Sequence, residues 1–481
     1  MLFNSIEFAV FLPIVFLLYW FVFNRKLKLQ NLFVVIVSYI FYGWWDWRFL
    51  LLIAFTSFCS WGSGILIEKY RMSGKTAKYI SAANITLNLL ILGIFKYYDF
   101  FAQSFADLFL GGQSDGILLH LILPVGISFY TFQALSYSID VYRQKMEPVH
   151  DIVQFFAFVS FFPQLVAGPI ERASNLLPQF DKPRTFNYHD AAEGMRQILW
   201  GLFKKIVIAD NCALYVNPVF ENYETHHGST LVLAAILFSF QIYGDFSGYS
   251  DIAIGTAKLF GIKLKKNFNV PYFSRDIAEF WRRWHMSLTS WFRDYVYIPL
   301  GGSRCSKAKI IRNTFIIFLL SGFWHGANWT FIVWGAFHAL LFLPLILMGK
   351  NRRYCDTVAE HQLLPSIKEC GQILLTFILA TLGWIIFRAD TIGDAWHYIA
   401  SIPSASLFAK PWHPSPIHYL HLFAFIALML LEEWVHRSQG LPLQFKHIKP
   451  RALRFLIYLT IIVTIALFNT GTGNQFIYFQ F

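Results

Sequence analysis

The segment Phe331-Ile-Val-Trp-Gly-Ala-Phe-His-Ala-Leu-Leu-Phe-Leu-Pro-Leu-Ile-Leu-Met348 contains no aspartate, glutamate, lysine or arginine. A helix needs about 20 mostly apolar residues to span a lipid bilayer, and this segment reaches that length with its flanks. Comparable blocks that are nearly free of charge recur along the chain, at residues 12–23, 32–45, 49–60, 89–95, 231–240, 373–387 and 455–468. The pattern predicts an all-α, polytopic transmembrane protein.

The composition of the whole chain agrees with this prediction. Of its 481 residues, 56% are hydrophobic and 14% are charged, whereas soluble domains contain about 25% charged residues. A soluble protein with so few charges would have too little polar surface to face water. Residues 1–7 lack the basic start and the small-residue cleavage site of a signal peptide, so we expect the first apolar block to be a retained helix.

Basic residues predict the orientation of the chain. The formal net charge is +12, and this excess needs no nucleic-acid partner, because Lys and Arg concentrate in the cytoplasmic loops of membrane proteins. Basic stretches lie at residues 24–28, 68–78, 142–145, 258–266, 275–309, 350–353 and 436–454. All of them face the cytoplasm if residues 151–169 form a re-entrant segment rather than a crossing. The prediction is then about 11–12 spans, with re-entrant and interfacial amphipathic helices and with both termini outside.

The sequence shows no solenoid repeat and no inverted half, so we predict a single membrane domain over residues 1–481. It consists of N-terminal spans (1–120), a core that contains the polar motifs (121–345) and C-terminal spans (346–481). The five cysteines form no Cys-x-x-Cys pair and no zinc spacing with histidine, so we expect no metal site.

Polar residues inside apolar blocks are costly in lipid, and they therefore mark candidate functional sites. The first such motif is Gln241-Ile-Tyr-Gly-Asp-Phe-Ser-Gly-Tyr-Ser-Asp251. Its glycines, serines and aspartates predict a break in a long helix, where polar groups line a cavity and Asp245 and Asp251 bind substrate. Alternatively, the two aspartates only cap the start of the next helix.

The second motif is Phe280-Trp-Arg-Arg-Trp-His-Met-Ser-Leu-Thr-Ser-Trp-Phe-Arg-Asp-Tyr295. At about 100° per residue, its aromatic side chains form one stripe and its charged side chains the opposite face. The pattern predicts an amphipathic helix at the cytoplasmic interface, with its cations toward lipid headgroups. Arg282 and Arg283 are also candidates to bind the phosphates of a nucleotide-bearing substrate. His285 lies at the boundary of the two faces, and amphipathicity alone does not explain an imidazole there.

The third motif is Leu320-Ser-Gly-Phe-Trp-His-Gly-Ala-Asn-Trp329. It places His325 between two apolar runs, at or inside the membrane, where Gly322 and Gly326 would let a substrate approach closely. The ordinary pKa of an imidazole, about 6.5, suits proton transfer near neutral pH. The alternative is a histidine that is hydrogen-bonded to a backbone carbonyl at the outer interface.

With further motifs, these stretches resemble the membrane-bound O-acyltransferase superfamily, and within it the alginate O-acetyltransferase-like bacterial branch. The further motifs are Pro124-Val-Gly-Ile-Ser-Phe-Tyr-Thr-Phe-Gln133, Phe162-Pro-Gln-Leu-Val-Ala-Gly-Pro-Ile170, Tyr297-Ile-Pro-Leu-Gly-Gly-Ser-Arg304 and Phe476-Ile-Tyr-Phe-Gln-Phe481. The resemblance extends from about Leu123 to Phe481. It implies a multi-pass protein of the bacterial cytoplasmic (inner) membrane, with His325 as the catalytic residue and His285 as a second signature residue.

The resemblance also implies the reaction, which is O-acetylation of an exported or cell-surface polysaccharide. The acetyl group would come from a cytoplasmic thioester, acetyl-CoA or an acyl carrier, and would cross the membrane to the polymer directly or through an extracytoplasmic acetyltransferase partner. We expect His325 to act as general base, and Asn328 or backbone N–H groups near Gly326 to stabilise the oxyanion. We expect no permanently bound cofactor, and membrane lipid is the other expected partner.

Other functions fit parts of the pattern. The D-alanyl transferase of teichoic acid synthesis shares the Arg-Trp-His segment and a similar C-terminus, but this chain is longer and continues with the motif at residues 297–304. A non-enzymatic transporter or proton-coupled channel would also contain intramembrane Asp and His, although the lack of inverted repeats counts against it. A non-enzymatic scaffold for an extracellular transferase is the third alternative.

Overall fold

The computed structural model describes residues 1–112, 116–413, 416–438, 440–445, 448–471 and 476–477. This part of the chain is 71% helix and contains no strand, which confirms the all-α prediction. Residues 478–481 of the C-terminal motif and three positions of the basic stretch 436–454 lie outside the described residues.

Within the described residues, five helical segments are long and apolar enough to cross a membrane: Arg48–Lys69, Gly74–Phe109, Gly228–Leu259, Trp329–Leu347 and Ile367–Arg388. Two shorter apolar segments, Ile6–Val22 and Leu27–Gly43, precede them. Trp329–Leu347 coincides with the charge-free stretch that ends at Met348. These helices confirm a multi-pass membrane protein, and the total of about 11–12 spans stays a prediction.

The chain forms two compact units, of which the first contains residues 1–195 and 253–265. The helix Ile127–Tyr142 (α6) packs against Arg48–Lys69 (α3) and Gly74–Leu92 (α4), and nearly all of its residues are buried. A helix that is buried all round carries no charged stripe, and Asp140 is accordingly the one charged residue of α6. The helices of this unit are α1 (Ile6–Leu17), α2 (Leu27–Gly43), α3 (Arg48–Lys69), α4 (Gly74–Leu92), α5 (Tyr98–Phe109), α6 (Ile127–Tyr142), α7 (Ile152–Ser160), α8 (Phe162–Leu165) and α9 (Ala173–Phe180).

Polar side chains join two of the spans in this unit. Ser60 on α3 donates a hydrogen bond to Asn84 Oδ1 on α4 (3.3 Å), and Asn88 Nδ2 donates to Ser60 Oγ (3.4 Å). Interhelical hydrogen bonds of this kind hold helices together in lipid, where apolar contact alone gives little preference for protein over lipid.

Residues 151–169 form the short helices α7 and α8, which are separated at Phe161. The nine residues of α7 rise about 14 Å at 1.5 Å per residue, less than half of a hydrocarbon core of about 30 Å. α7 is thus too short to cross a bilayer, as the re-entrant prediction requires.

The second unit contains residues 196–252 and 266–481. Three large indoles, Trp284, Trp334 and Trp384, lie at the centre of its core and are almost completely buried. The helices that follow α9 are α10 (Tyr188–Leu202), α11 (Asp210–Glu221), α12 (Gly228–Leu259), α13 (Ile277–Arg283), α14 (Met286–Phe292), α15 (Lys307–His325), α16 (Trp329–Leu347), α17 (Ile367–Arg388), α18 (Ile392–Ser401), α19 (Pro416–Val435) and α20 (Arg451–Leu467). The boundary between the units falls within α10 and within α12, and the single membrane domain with three parts stays a prediction.

The predicted break at residues 241–251 is wrong, because α12 continues through them as one helix of 32 residues. The glycines of the motif serve close packing instead. A Cβ atom on Gly244 would lie 2.9 Å from the carbonyl oxygen of Lys204, and one on Gly248 would lie 2.8 Å from that of Gly201. The capping alternative is also wrong, since Asp245 and Asp251 lie inside the helix.

The predicted amphipathic helix over residues 280–295 is also interrupted. α13 ends at Arg283 and α14 begins at Met286, with Trp284 extended (φ −95°, ψ 130°) and His285 left-handed (φ 42°, ψ 54°) between them. The predicted polar face is not directed at lipid headgroups throughout, because Glu279 and Arg283 are buried.

Candidate active site

His325 is the last residue of α15, and its side chain is 4% exposed. Gly326 leaves the helix in an extended conformation, and Asn328 caps α16 by accepting a hydrogen bond from the backbone N–H of Thr330 (3.0 Å). α15 and α16 pack along each other as a helical hairpin. His325 therefore lies at the tip of a hairpin whose second helix is a candidate membrane span.

Glycines allow the two helices of the hairpin to approach each other. A Cβ atom on Gly322 would overlap the carbonyl oxygen of Phe331, and one on Gly335 would overlap that of Phe318. A Cβ atom on Gly326 would overlap the Phe331 ring. The prediction that Gly322 and Gly326 leave space for a substrate is wrong, because Phe331 fills the space beside both of them.

Aromatic rings surround the His325 imidazole. Its centroid lies 4.9 Å from that of Trp324, 5.1 Å from that of Trp334 and 5.3 Å from that of Phe387. Such packing restricts the rotamers of the imidazole and excludes water from its faces, so that a reaction at this ring takes place in a low-dielectric environment.

His285 is brought to the same place by the break between α13 and α14. Its imidazole contacts the Trp324 indole, with centroids 5.6 Å apart, and Trp324 in turn contacts His325. The side chain is 1% exposed, and its Nδ1 atom lies 3.0 Å from Asn267 Oδ1. The structure thus brings both predicted histidines into contact with one indole, although 40 positions separate them in the sequence.

The backbone and the burial of His285 both indicate a specialised position. A left-handed conformation is uncommon for residues other than glycine and costs roughly 1–3 kcal/mol, so it persists only where neighbours fix it. Burial lowers the pKa of His285 to about 3, because the charged imidazolium loses its hydration. His285 is therefore neutral at physiological pH.

Asp245 and Asp251 face lysines rather than an open cavity. Asp245 Oδ1 lies 2.6 Å from Lys205 Nζ, and Asp251 Oδ2 lies 2.5 Å from Lys204 Nζ. Both lysines are buried. The second oxygen of Asp245 accepts a hydrogen bond from the backbone N–H of Ile477 (2.7 Å). The geometry gives both aspartates an ion-pairing role, and substrate binding by them stays a prediction.

Arg283 also belongs to a buried ion-pair cluster. Its guanidinium donates to Glu279 Oε1 (2.8 Å), and Arg275 donates to Glu279 Oε2 (3.0 Å) and to Asp356 Oδ1 (3.0 Å). Arg282 donates to the carbonyl oxygens of Asn351 (2.8 Å) and Tyr354 (2.6 Å). Phosphate binding by either arginine stays a prediction, and the geometry favours it only for Arg282, which lines a cavity.

That cavity has a volume of about 600 Å³ and lies within the second unit. Its wall includes Met286, which follows His285, and Ser321, which lies one helical turn before His325. Apolar side chains form most of its lining, and the polar or charged side chains among them include Arg282, Arg293, Arg352, Asn351, Thr289, Ser290, Ser303 and Ser321. The cavity therefore contains three cationic side chains and reaches residues that are close in sequence to both histidines.

The predicted oxyanion donor Asn328 and a possible cation site in the first unit both have side chains that are already engaged. The side-chain amide of Asn328 donates to the carbonyl oxygen of Asp390 (2.9 Å) while its oxygen caps α16, so its oxyanion role stays a prediction. Among the described residues, His189, Asp190 and Glu193 are close enough to share a cation, but they are at least partly exposed and lie in the first unit. Asp190 and Glu193 already pair with lysines at 3.6 and 3.7 Å.

Three features of the site were not predicted from the sequence: Asn267, Trp324 and the pair Lys204 and Lys205. Lys204 and Lys205 carry a readable signal, because two charges interrupt the apolar run that continues to residue 209. Asn267 carries none, since its relation to His285 arises only when the chain folds.

Comparison with known proteins agrees with the geometry. Residues 147–381 match the sequence profile described as MBOAT, membrane-bound O-acyltransferase family. The chain is 40% identical to the probable alginate O-acetylase of Pseudomonas aeruginosa over 398 residues, which cover 82% of this chain and 74% of that protein. It is 36% identical to the peptidoglycan O-acetyltransferase of Helicobacter pylori over 425 residues, which cover 82% of this chain and 78% of that protein.

The similarity to the teichoic acid D-alanyltransferase of Bacillus subtilis is weaker, with 31% identity over 299 residues that cover 58% of this chain and 71% of that protein. The resemblance stated from the motifs is confirmed, and the catalysed reaction class is acyl transfer to a hydroxyl group. With two buried histidines on one indole, and with relatives that match most of its length, the chain belongs to the membrane-bound O-acyltransferase family.

Proposed function

We propose that this protein transfers an acetyl group from acetyl-CoA, on the cytoplasmic side, to hydroxyl groups of an exported or cell-surface polysaccharide. The observation that carries the proposal is the contact of His285 and His325 with the same indole, that of Trp324, near a cavity whose lining includes three arginines. A transporter needs a continuous path for its substrate, whereas acyl transfer needs one enclosed point where a base, a thioester and a hydroxyl meet.

His325 is the general base of the proposed reaction. Its imidazole takes the proton of the acceptor hydroxyl while the hydroxyl oxygen attacks the thioester carbonyl carbon. The tetrahedral intermediate collapses, the C–S bond breaks, and the imidazolium returns the proton to the leaving thiolate. The products are an O-acetyl ester and free thiol, so protons and electrons balance. A positioned general base contributes about 10²–10⁴-fold to such a step.

The arginine-lined cavity supports a nucleotide-bearing donor. Guanidinium groups bind phosphate through paired N–H donors, and Arg282, Arg293 and Arg352 contribute three of them to the lining of the cavity. The cavity volume of about 600 Å³ is in the range of cofactor sites, roughly 300–1,000 Å³. Arg282 and Arg293 belong to the basic stretch 275–309, and the positive-inside rule supports a cytoplasmic location for that stretch.

The relatives support the class of acceptor. Alginate and peptidoglycan, the polymers in the names of the two relatives described above, are both polysaccharides of the cell exterior. The acetyl group reaches such a polymer directly or through an extracytoplasmic acetyltransferase partner. The proposed location is accordingly the bacterial cytoplasmic membrane.

The proposal is tested with purified protein in lipid nanodiscs, [¹⁴C]acetyl-CoA and chemically deacetylated alginate. We expect label in base-labile esters of the polymer, and a KM for acetyl-CoA that rises about tenfold in Arg352→Gln, as expected for loss of roughly 1.4 kcal/mol from a charge-assisted contact. Arg353→Gln is the matched control, because Arg353 is adjacent and exposed but does not line the cavity.

The outcomes separate the alternatives. Transfer of D-alanine but not acetyl would establish the D-alanyl function. Absence of any acyl transfer, with uptake of a solute by sealed vesicles, would establish a transporter. An unchanged KM in Arg352→Gln would remove the nucleotide-phosphate role of the cavity.

A further inference from the structure

His338 is a third buried histidine of the second unit, and the proposed reaction does not use it. It lies on α16, its side chain is fully buried, and it does not line the cavity described above. Its Nδ1 atom accepts a hydrogen bond from the indole Nε1–H of Trp281 on α13 (3.3 Å). The two rings are nearly perpendicular, with centroids 4.9 Å apart. A polar side chain of a candidate membrane span is thereby joined to the short helix that ends shortly before His285.

This hydrogen bond determines the protonation state of the His338 imidazole. An indole nitrogen is only a donor, so the ring nitrogen that faces Trp281 accepts and carries no proton. An imidazole rotated by 180° about its side-chain bond would present a carbon at this position, which accepts nothing. An imidazolium has a proton on both nitrogens and could not accept either. The ring is therefore neutral, and its single proton lies on Nε2.

Gly383 on α17 leaves room for the Nε2 side of this ring. A Cβ atom on Gly383 would lie 2.6 Å from His338 Nε2, closer than two such atoms can approach. The imidazole thus fits between Trp281 of α13 and the backbone of α17, with the indole N–H on one nitrogen and a glycine beside the other.

Trp281 connects His338 to the cavity and to the surroundings of His325. Its indole belongs to the cavity lining, as does the next residue, Arg282. It also packs against the Trp334 ring (5.5 Å), and Trp334 contacts His325 (5.1 Å). A buried indole usually has a partner for its N–H, and that partner selects one orientation of the ring. The orientation of this part of the cavity lining therefore depends on His338.

We propose that His338 is a positioning residue: as a neutral imidazole with its proton on Nε2, it holds the Trp281 indole in the orientation that binds the acyl donor. The inference rests on the proposed function, which assigns the cavity to that donor. Apolar packing alone gives little preference for one arrangement of helices in lipid, whereas a hydrogen bond between helices does. Because His338 lies outside the cavity lining, its effect falls on donor binding rather than on the chemical step.

The protonation state is tested without reference to activity. Protein labelled with [¹⁵N]histidine is placed in lipid bilayers, and the His338 resonances are assigned by their loss in His338→Asn. We expect the ¹⁵N shifts of an unprotonated Nδ1 and a protonated Nε2. A protonated Nδ1 would overturn the proposal, whether or not the protein proves to be an acetyltransferase.

Two substitutions of similar size separate the hydrogen bond from the packing. Asparagine and leucine both lack the imidazole ring, but only asparagine retains an acceptor, its Oδ1 atom, where Nδ1 lies. We expect His338→Leu to raise the KM for acetyl-CoA by about 3–10-fold, the equivalent of one hydrogen bond, while kcat stays within about twofold. His338→Asn should leave both constants within about twofold of the unsubstituted protein. An equal KM in the two variants would refute the role of the hydrogen bond.

A double substitution separates positioning through Trp281 from a structural role. Trp281→Phe removes the donor of the same hydrogen bond, so His338→Leu should add no further increase in KM to it, since the two changes belong to one interaction. Multiplicative increases would show that His338 acts by packing and would overturn the proposal. If His338→Leu does not fold, Trp281→Phe and His338→Asn still decide: an unchanged KM in the first, or a raised KM in the second, would contradict the positioning role.

Discussion

His325 and His285 are both buried imidazoles, but their backbones differ. His325 ends a regular helix, whereas His285 has a positive φ between two short helices. Replacement of His325 changes a side chain at the end of an intact helix. Replacement of His285 also changes a residue type that tolerates the left-handed region better than most. Substitution of His325 therefore removes only an imidazole, whereas substitution of His285 also disturbs a left-handed backbone conformation.

We expect His325→Ala to abolish acetyl transfer and to leave membrane insertion and expression intact. The alanine removes the general base but keeps the helix, because alanine has the highest helix propensity. The measurement is transfer from [¹⁴C]acetyl-CoA by the purified variant. His397→Ala, at an exposed position of α18, is the control. Near-normal transfer by His325→Ala would refute the general-base assignment.

We expect His285→Ala to impair transfer less severely than His325→Ala. A residue that positions a substrate or a helix takes no proton in the reaction, so its loss leaves the chemical step available. The comparison requires both variants in one assay, with thermal unfolding followed in parallel to confirm folding. A folded His285→Ala protein with no activity at all would reverse the order of the two residues.

The sequence identified the two histidines because each is a titratable group in an apolar setting, which is a local property. It did not identify Asn267, which lies 18 positions before His285 and meets it only through the turn after α12. The aspartates were recognised as unusual, but their partners were not, since Lys204 and Asp251 are far apart in the chain. Pairs that form by folding cannot be read from spacing alone.

Among the elements, the hairpin of α15 and α16 determines where His325 lies. Its glycines lie where one helix touches the backbone of the other, and a side chain at these points would overlap that backbone. The sequence predicted the helices correctly from their apolar content. The predicted roles of four glycines were wrong. Gly322 and Gly326 were expected to leave space for a substrate, and Gly244 and Gly248 were expected to break a helix. All four allow close helix packing instead, and the residue type alone does not distinguish these roles.

We expect Gly335→Val to destabilise this hairpin. The added side chain overlaps the carbonyl oxygen of Phe318 on the facing helix, and overpacking of this kind costs about 1–3 kcal/mol or more. The measurement is the midpoint of thermal aggregation, followed by size-exclusion chromatography in detergent. Gly371→Val is the matched control, because Gly371 lies in the membrane span α17 with open space beside it. Equal midpoints for the two variants would show that the close approach is not important for stability.

At the scale of the whole molecule, the distribution of basic residues predicts which side receives each substrate. The stretch 275–309 is the richest in Lys and Arg near the site, and such segments remain in the cytoplasm. We therefore expect acetyl-CoA to bind from inside and the polymer to approach from the opposite face.

We expect oriented proteoliposomes to use acetyl-CoA only from the face that bears the basic segment 275–309. Arg282 and Arg293 of the cavity belong to that segment, and CoA is too polar to cross a bilayer. Vesicles of each orientation receive acetyl-CoA on one side at a time, and detergent-opened vesicles give the total activity. Equal activity from the face that bears the N-terminus would refute transfer across the membrane, even if the enzyme is an acetyltransferase.

The hydrogen bond from Ile477 to Asp245 has a consequence for the synthesis of the protein. The two residues are 232 positions apart, and ribosomes add about 5–20 residues per second, so the acceptor carboxylate waits roughly 10–50 s for this partner. During that interval α12 is already made, and the Asp245 oxygen that later binds Ile477 has no backbone N–H to accept. The ion pair between Asp245 and Lys205 needs only residues that are already made, whereas the second unit acquires its contact from Ile477 only after residue 477 has left the ribosome.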